Sequence, residues 1–253
     1  MAPELQDNVS RVKRVNVLGI SFVGLRGADT VLQYAILHEG WGARLVEFLG
    51  GSILSPSRVI QASTGQLSPY HAVISWMAFG SSLKQILTML IVSEQDTPVS
   101  SAILVAFFNT VFNSLNSIFS LWQVTSQAPG DSNLSPLVLA GTGLYLIGIF
   151  TEFTSQLQRT YFKKKPANKG KAYAHGLFSL ARHINYGGYT VWRAAYALTS
   201  GGWLWGLAVG AFFFHDFTSR GVPVLDMYLS ERYGEQWKAI KQRVPYRLIP
   251  GVY

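Results

Sequence analysis

The segment ARHINY, residues 181–186, sets Arg182, His183, Asn185 and Tyr186 at the start of a long apolar run. Charged and hydrogen-bonding groups are expensive at such a place, and where they occur they commonly mark a site. Arg offers a planar fork of donors suited to phosphate. Asn pairs a donor with an acceptor, as reading a carboxamide requires. Tyr stacks on a flat ring or donates a proton. More cations stand elsewhere: Arg159 and Lys163, one helical turn apart, and Arg243 near the C-terminus. The four basic groups suit a phosphorylated ligand. His183 has a plain alternative as a structural hydrogen-bonding group that fixes its loop.

A second constellation lies inside an apolar stretch. Asn109, Asn113, Asn116, Ser120 and Gln123 recur at i, i+4, i+7, i+11 and i+14. On a helix they fall within about 80° of one another. Such a stripe either hydrogen-bonds neighbouring helices or forms a wall that holds an oxygen of a lipophilic substrate. Asn109, Asn113 and Asn116 are the candidate substrate-binding residues.

The elements that must carry these groups are membrane helices. Hydrophobic residues make up 49% of the 253 and charged ones 13%, against roughly 25% charged in soluble domains. There is no Cys, which excludes disulfides, thiolate metal sites and a cysteine nucleophile. No metal ion is implied. Residues 69–92, 99–122 and 135–153 are apolar runs of spanning length. Residues 187–217 are too long for one span and carry Gly201 and Gly202 near the middle, which predicts a helical hairpin. Gly202, Gly206 and Gly210 repeat at the spacing of close helix packing. The apolar run after Arg11, Lys13 and Arg14 is 11 residues long and meets Arg26 and Asp29, so it is a poor signal peptide. One short or tilted span is possible over 30–60.

The division expected is therefore an N-terminal region (1–68) with one or two membrane or interfacial helices, three spans (69–153), and a C-terminal region (154–253) with the hairpin and a polar tail. The fold class is all-α: a polytopic helical membrane protein. Residues 156–253 carry 14 Lys+Arg against 4 Asp+Glu. Six of those cations sit in 159–171, which places that loop and the tail on the cytosolic side. Lys164, Lys165 and Lys169 are accounted for by orientation and contact with anionic membrane lipid. Basic segments flanking apolar runs do not suggest nucleic acid. The sequons at Asn8 and Asn133 prove nothing alone.

From about residue 150 the chain resembles the C-terminal catalytic region of the membrane steroid 5-alpha-reductase and sterol reductase superfamily. Isoprenylcysteine carboxyl methyltransferases share that core. The resemblance covers about 100 residues. EFTSQLQRTYFKK matches an acidic helix end through Glu152, Gln158, Arg159 and Lys163. RHINYGGY matches the family's RHPNYFGE through Arg182, His183, Asn185, Tyr186 and Gly188. The tail from Pro223 to Tyr253 matches through Asp226, Tyr233, Gly234, Trp237, Val244, Pro245, Tyr246, Arg247, Pro250 and Tyr253, among others. It departs where Gln156, Ile184 and Tyr189 replace an acid, a proline and an acid.

The resemblance implies an NADPH-dependent reductase of a carbon–carbon double bond in a lipophilic sterol-, terpenoid- or polyketide-like molecule. The endoplasmic reticulum is the membrane implied for a eukaryote. The cofactor-binding residues carried over are Glu152, Gln158, Arg159, Lys163, Arg182, His183, Asn185, Asp226, Tyr233 and Tyr246, to which the charge argument adds Arg243. For Asp226 the plain alternative is a salt bridge within the tail, and for Tyr246 it is tail packing. With two acids missing, Tyr186 or Tyr189 is the expected catalytic donor, which favours a conjugated carbonyl over an isolated alkene. The shared core leaves a second reading, an S-adenosylmethionine-dependent membrane methyltransferase. A third is a non-catalytic protein that keeps the fold.

Overall fold

A computed structural model describes residues 17–92, 99–129 and 134–253. Arg11, Lys13, Arg14, Asn8 and Asn133 lie outside the described residues. The fold is all-α: the described residues form no named strand, only two isolated bridges. Among the described residues, three helices are long and apolar enough to cross a membrane: Ser100–Leu121, Pro136–Lys164 and the stretch Ile184–Tyr233.

The helices in chain order are α1 (Val17–His38), α2 (Trp41–Phe48), α3 (Pro56–Val59), α4 (Pro69–Leu87), α5 (Val99–Leu121), α6 (Pro136–Lys164), α7 (Ile184–Asp216), α8 (Val222–Tyr233) and α9 (Glu235–Arg243). Their starts follow the sequence. Pro69 and Pro136 open α4 and α6, where a missing N–H is harmless. Ser135 caps α6 by accepting from the Val138 N–H at 3.3 Å. Lys163 and Lys164 occupy its last turn, where cations complement the helix dipole.

α1 sets the bounds of an N-terminal helix that the sequence left open. The short apolar run does not stop at Arg26 and Asp29; one 22-residue helix passes through both. The two charges are fully buried and paired with each other at 3.1 Å, so the helix carries them inside the bundle. α1 packs on α4 and α5.

α7 is a hairpin. Its backbone breaks at Gly202, with φ 77° and ψ −171°. A Cβ placed on Gly206 would lie 2.9 Å from the Leu198 Cβ, and one on Gly210 would lie 3.1 Å from the Ala194 Cβ. In a continuous helix residues eight and sixteen apart stand about 12 and 24 Å apart. The second arm therefore runs back along the first.

α6 and the first arm of α7 approach closely. A Cβ on Gly148 would lie 2.5 Å from the Trp192 nitrogen, and one on Gly188 would lie 2.7 Å from the Glu152 nitrogen. The main apolar core sits beside this seam, with Ile74, Met77, Tyr145, Ile149, Trp192 and Tyr196 buried together. The tail folds back onto the start of α7: Arg182 N–H donates to the Tyr246 carbonyl at 3.0 Å, and His183 N–H to that of Arg247 at 2.7 Å.

Candidate functional site

The residues singled out in the sequence gather in two places. The first is the mouth of α7, where the 158–163 end of α6, the ARHINY turn and the tail meet. Arg182 is buried, and its Nη1 donates to the carbonyls of Val244 at 2.7 Å and Pro245 at 3.1 Å. Lys163 Nζ donates to the Lys171 carbonyl at 2.5 Å and to the Tyr233 hydroxyl at 2.6 Å. Arg243 Nη2 donates to the Ala174 carbonyl at 3.1 Å. The Arg159 guanidinium lies over the Phe178 ring, 5.5 Å from its centroid. Gln158 Oε1 accepts from the Leu177 N–H at 3.0 Å and so fixes the turn before ARHINY. Arg182, Lys163 and Arg243 thus spend the bonds described on neutral oxygens and keep their positive charge uncancelled by those partners.

Three polar atoms in the ARHINY turn itself are buried without a hydrogen-bond partner: Arg182 Nε, His183 Nε2 and Asn185 Oδ1. Such atoms cost about 1–3 kcal/mol each when left unpaired. Three within four residues, beside several cations, fit a ligand-binding turn. Burial, with the Arg182 guanidinium beside it, holds His183 down to about 4, so the imidazole is neutral at physiological pH. Its ring lies parallel to that of Tyr186 at 6.0 Å. Tyr186 in turn stacks on Phe217 at 4.5 Å. Asp226 accepts from Trp237 Nε1 at 2.9 Å and pairs with Lys241 at 3.5 Å, so its carboxylate serves the tail. Tyr246 is exposed, and its backbone carbonyl, not its ring, takes part in the described bonding.

The second place is the interior of the bundle. Glu152, expected near the cofactor, lies there instead. Its Oε1 pairs with Lys84 Nζ, and its Oε2 accepts from Trp192 Nε1 at 2.7 Å. Gln156, one turn on, donates to the same carboxylate at 3.4 Å. The Asn stripe faces the same interior. Asn113 donates to Asp29 at 2.7 Å and to Ser81 at 3.2 Å. Asn109 Oδ1 accepts from Gln85 Nε2 at 2.6 Å and from Arg193 Nη2. Asn116 accepts from Ser200 at 3.1 Å and from Trp205 Nε1 at 2.7 Å. All three tie α5 to its neighbours. The Tyr189 hydroxyl accepts from Arg193 Nε at 3.1 Å, and its ring meets Phe217 at 5.7 Å, which links the interior to the mouth.

Sequence reasoning missed Arg193 altogether and did not join Arg26, Asp29 and Lys84 to the stripe. The signal was present: four ionisable residues inside apolar stretches need partners. Lys84 also lines a cavity of about 400 Å³ between α4 and α6, whose other walls include Val73, Met77, Tyr145, Ile149 and Phe153. No cluster of metal-ligating side chains occurs among the described residues.

A family model described as "Protein of unknown function (DUF1295)" matches residues 87–244, a span that holds α5 to α9, including the ARHINY turn. The chain is 36% identical over 220 residues to a protein of Ustilaginoidea virens named "Probable O-methyltransferase ustE". That match covers 83% of this chain and 78% of the relative. It is also 35% identical over 86 residues to a "Probable 7-dehydrocholesterol reductase" of Acanthamoeba polyphaga mimivirus, covering 31% of this chain and 17% of that protein.

Proposed function

Because the chain belongs to the DUF1295 family, we propose that it is a membrane enzyme that transfers a methyl group from S-adenosylmethionine to an oxygen of a lipophilic acceptor. The observation that carries this is the state of the carboxylates around the site. Glu152 is committed to Lys84 and Trp192, Asp226 to Trp237 and Lys241, and Gln156 and Tyr189 stand where the reductase motif has acids. Reduction of a double bond needs a proton at one carbon, or a donor on a conjugated carbonyl. Methyl transfer to an ionised oxygen needs neither. S-adenosylmethionine supplies a methyl on a sulfonium, whose carbon–sulfur bond breaks as the oxygen–carbon bond forms, the bonding pair leaving on neutral sulfur. The ARHINY turn, with Arg182, His183 and Asn185, holds the cofactor, and the tail closes over it. The relative that matches along most of its length and is named an O-methyltransferase supports the same reading.

NADPH-dependent reduction is the second reading. It is favoured by several cations at one mouth, Arg159, Lys163, Arg182 and Arg243, which suit three phosphates, and by the partial match to a protein named a reductase. Tyr189, whose hydroxyl Arg193 holds, is then the donor. The two readings separate on one measurement with purified protein in detergent. A ligand at 100 times its Kd adds about 2.7 kcal/mol of stability. S-adenosylmethionine should stabilise and NADPH should not; the reverse result installs the reductase. Both readings put 159–171 and the tail on the cytosolic face. A glycosylation tag inserted beside Lys169 should stay unmodified in cells, and modification would reverse the orientation.

A further inference from the structure

Five acidic or basic side chains, counting Asp, Glu, Lys and Arg, lie in the bundle interior among the described residues: Arg26, Asp29, Lys84, Glu152 and Arg193, none more than 7% exposed. Asp29 pairs with Arg26 and Glu152 with Lys84. Arg193 is the third cation. It donates to Asn109 Oδ1 and, from Nε at 3.1 Å, to the Tyr189 hydroxyl, both neutral oxygens. Its Nη1 is buried with no hydrogen-bond partner. The faces of Trp192 at 4.3 Å and Tyr189 at 5.2 Å ease the charge. They do not cancel it, and an unmatched charge away from water is costly.

The same Tyr189 ring has Lys84 Nζ 6.0 Å from its centroid. Among the described residues, Lys84 is the one charged residue lining the cavity of about 400 Å³ between α4 and α6. Beside its bond to Glu152 the ammonium has donors to spare. An apolar cavity thus has a cation in its wall, with a second, unmatched cation on the aromatic ring that this one faces.

We propose that this cavity binds a lipophilic monoanion, its hydrocarbon body filling the space between α4 and α6 and its ionised oxygen at Lys84. The ligand's charge matches the one that Arg193 leaves over. Under the methyl-transfer reading such an anion is the acceptor, and an oxygen already ionised needs no base. The inference names the acceptor class on that reading, but binding itself is measured without S-adenosylmethionine.

Trp76 lines the cavity, so a brominated chain bound there quenches its fluorescence. The test titrates purified protein in detergent with dibromostearate, with the corresponding alcohol, and with a brominated anionic phospholipid. The acid should bind at least tenfold more tightly than the alcohol, and Trp76→Phe should remove most of the quenching. Arg193→Gln should bring acid and alcohol within about threefold, while Arg193→Lys keeps the preference. Equal binding of acid and alcohol by the unmodified protein overturns the proposal, as does an unchanged preference in folded Arg193→Gln. Quenching by the phospholipid equal to that by the acid also overturns it, because the site would then be ordinary boundary lipid. If Arg193→Gln does not fold, the comparison on the unmodified protein decides alone. Failure of S-adenosylmethionine to stabilise the protein, with the acid preference intact, refutes the methyl-transfer reading and leaves the anion site standing.

Discussion

Arg182 works in two directions. Its Nη1 holds the carbonyls of Val244 and Pro245, while its Nε is buried with no partner. Arg182→Ala should release the tail as well as weaken the cofactor. Losing bonds from a charged donor costs about 1.5–3 kcal/mol each. Limited proteolysis should cut the variant between 244 and 253 faster than the unmodified protein, and cofactor-induced stabilisation should drop. Intact cofactor binding in a variant with a loosened tail would assign Arg182 to the tail alone. His183 predicts a pH dependence. Its folded value of about 4 lies below the usual 6.5, so the folded state disfavours its protonation. That contribution is complete above pH 6.5 and is lost as pH falls towards 4, because the unfolded chain binds the proton first. The span corresponds to about 3 kcal/mol. Thermal melts of His183→Asn should be flatter between pH 6.5 and 4 than those of the unmodified protein; parallel curves would remove His183 from the account. These residues were visible in the sequence because Arg, His and Asn are conspicuous beside an apolar run. What they bond to was not, since the partners are backbone carbonyls about 60 residues away.

At the scale of elements, the hairpin was legible from Gly201 and Gly202 in the middle of a run too long for one span. Its turn rests on a single conformation. Gly202 has φ 77° and ψ −171°, a region essentially reserved for glycine, and an added Cβ would lie 2.7 Å from Gln127 Nε2. Gly202→Ala should destabilise by about 1–3 kcal/mol. Gly201 keeps helical geometry and serves as the control for mutation in the same turn, although a Cβ there meets the Trp205 side chain at 2.8 Å. Melting temperatures of the two alanine variants in one detergent check this; equal effects would argue against backbone strain. α1 was not legible. A short apolar run followed by Arg26 and Asp29 reads as an ending when charge is judged residue by residue. The helix continues because the two charges, three positions apart on one face, neutralise each other and find Ser82 and Asn113 on neighbouring helices. The Asn stripe was visible by its period, but its partners, Asp29 and Arg193, lie on helices 84 residues away in each direction.

At the scale of the molecule, the bundle interior combines an apolar core with buried charges, and the seam between α6 and α7 carries both. Glu152 sits on that seam. It answers Lys84 from α4 and the indole of Trp192 from α7, so one carboxylate ties three helices. The sequence shows Lys84 and Glu152 as isolated charges 68 residues apart, and only the packing of α4 on α6 reveals a pair. The pair makes a sharp prediction. Removing one member of a buried ion pair leaves the other charge unmatched and typically costs about 3–5 kcal/mol, whereas replacing both by neutral groups of similar size is often close to neutral. Glu152→Gln alone should therefore be strongly destabilised, although its amide oxygen can still accept from Trp192. Adding Lys84→Met to Glu152→Gln should recover most of the loss, because no charge is then stranded. Thermal unfolding of the single and double variants in the same detergent measures the difference. A double variant no more stable than Glu152→Gln would mean that the carboxylate supports the seam through Trp192 and not through its charge.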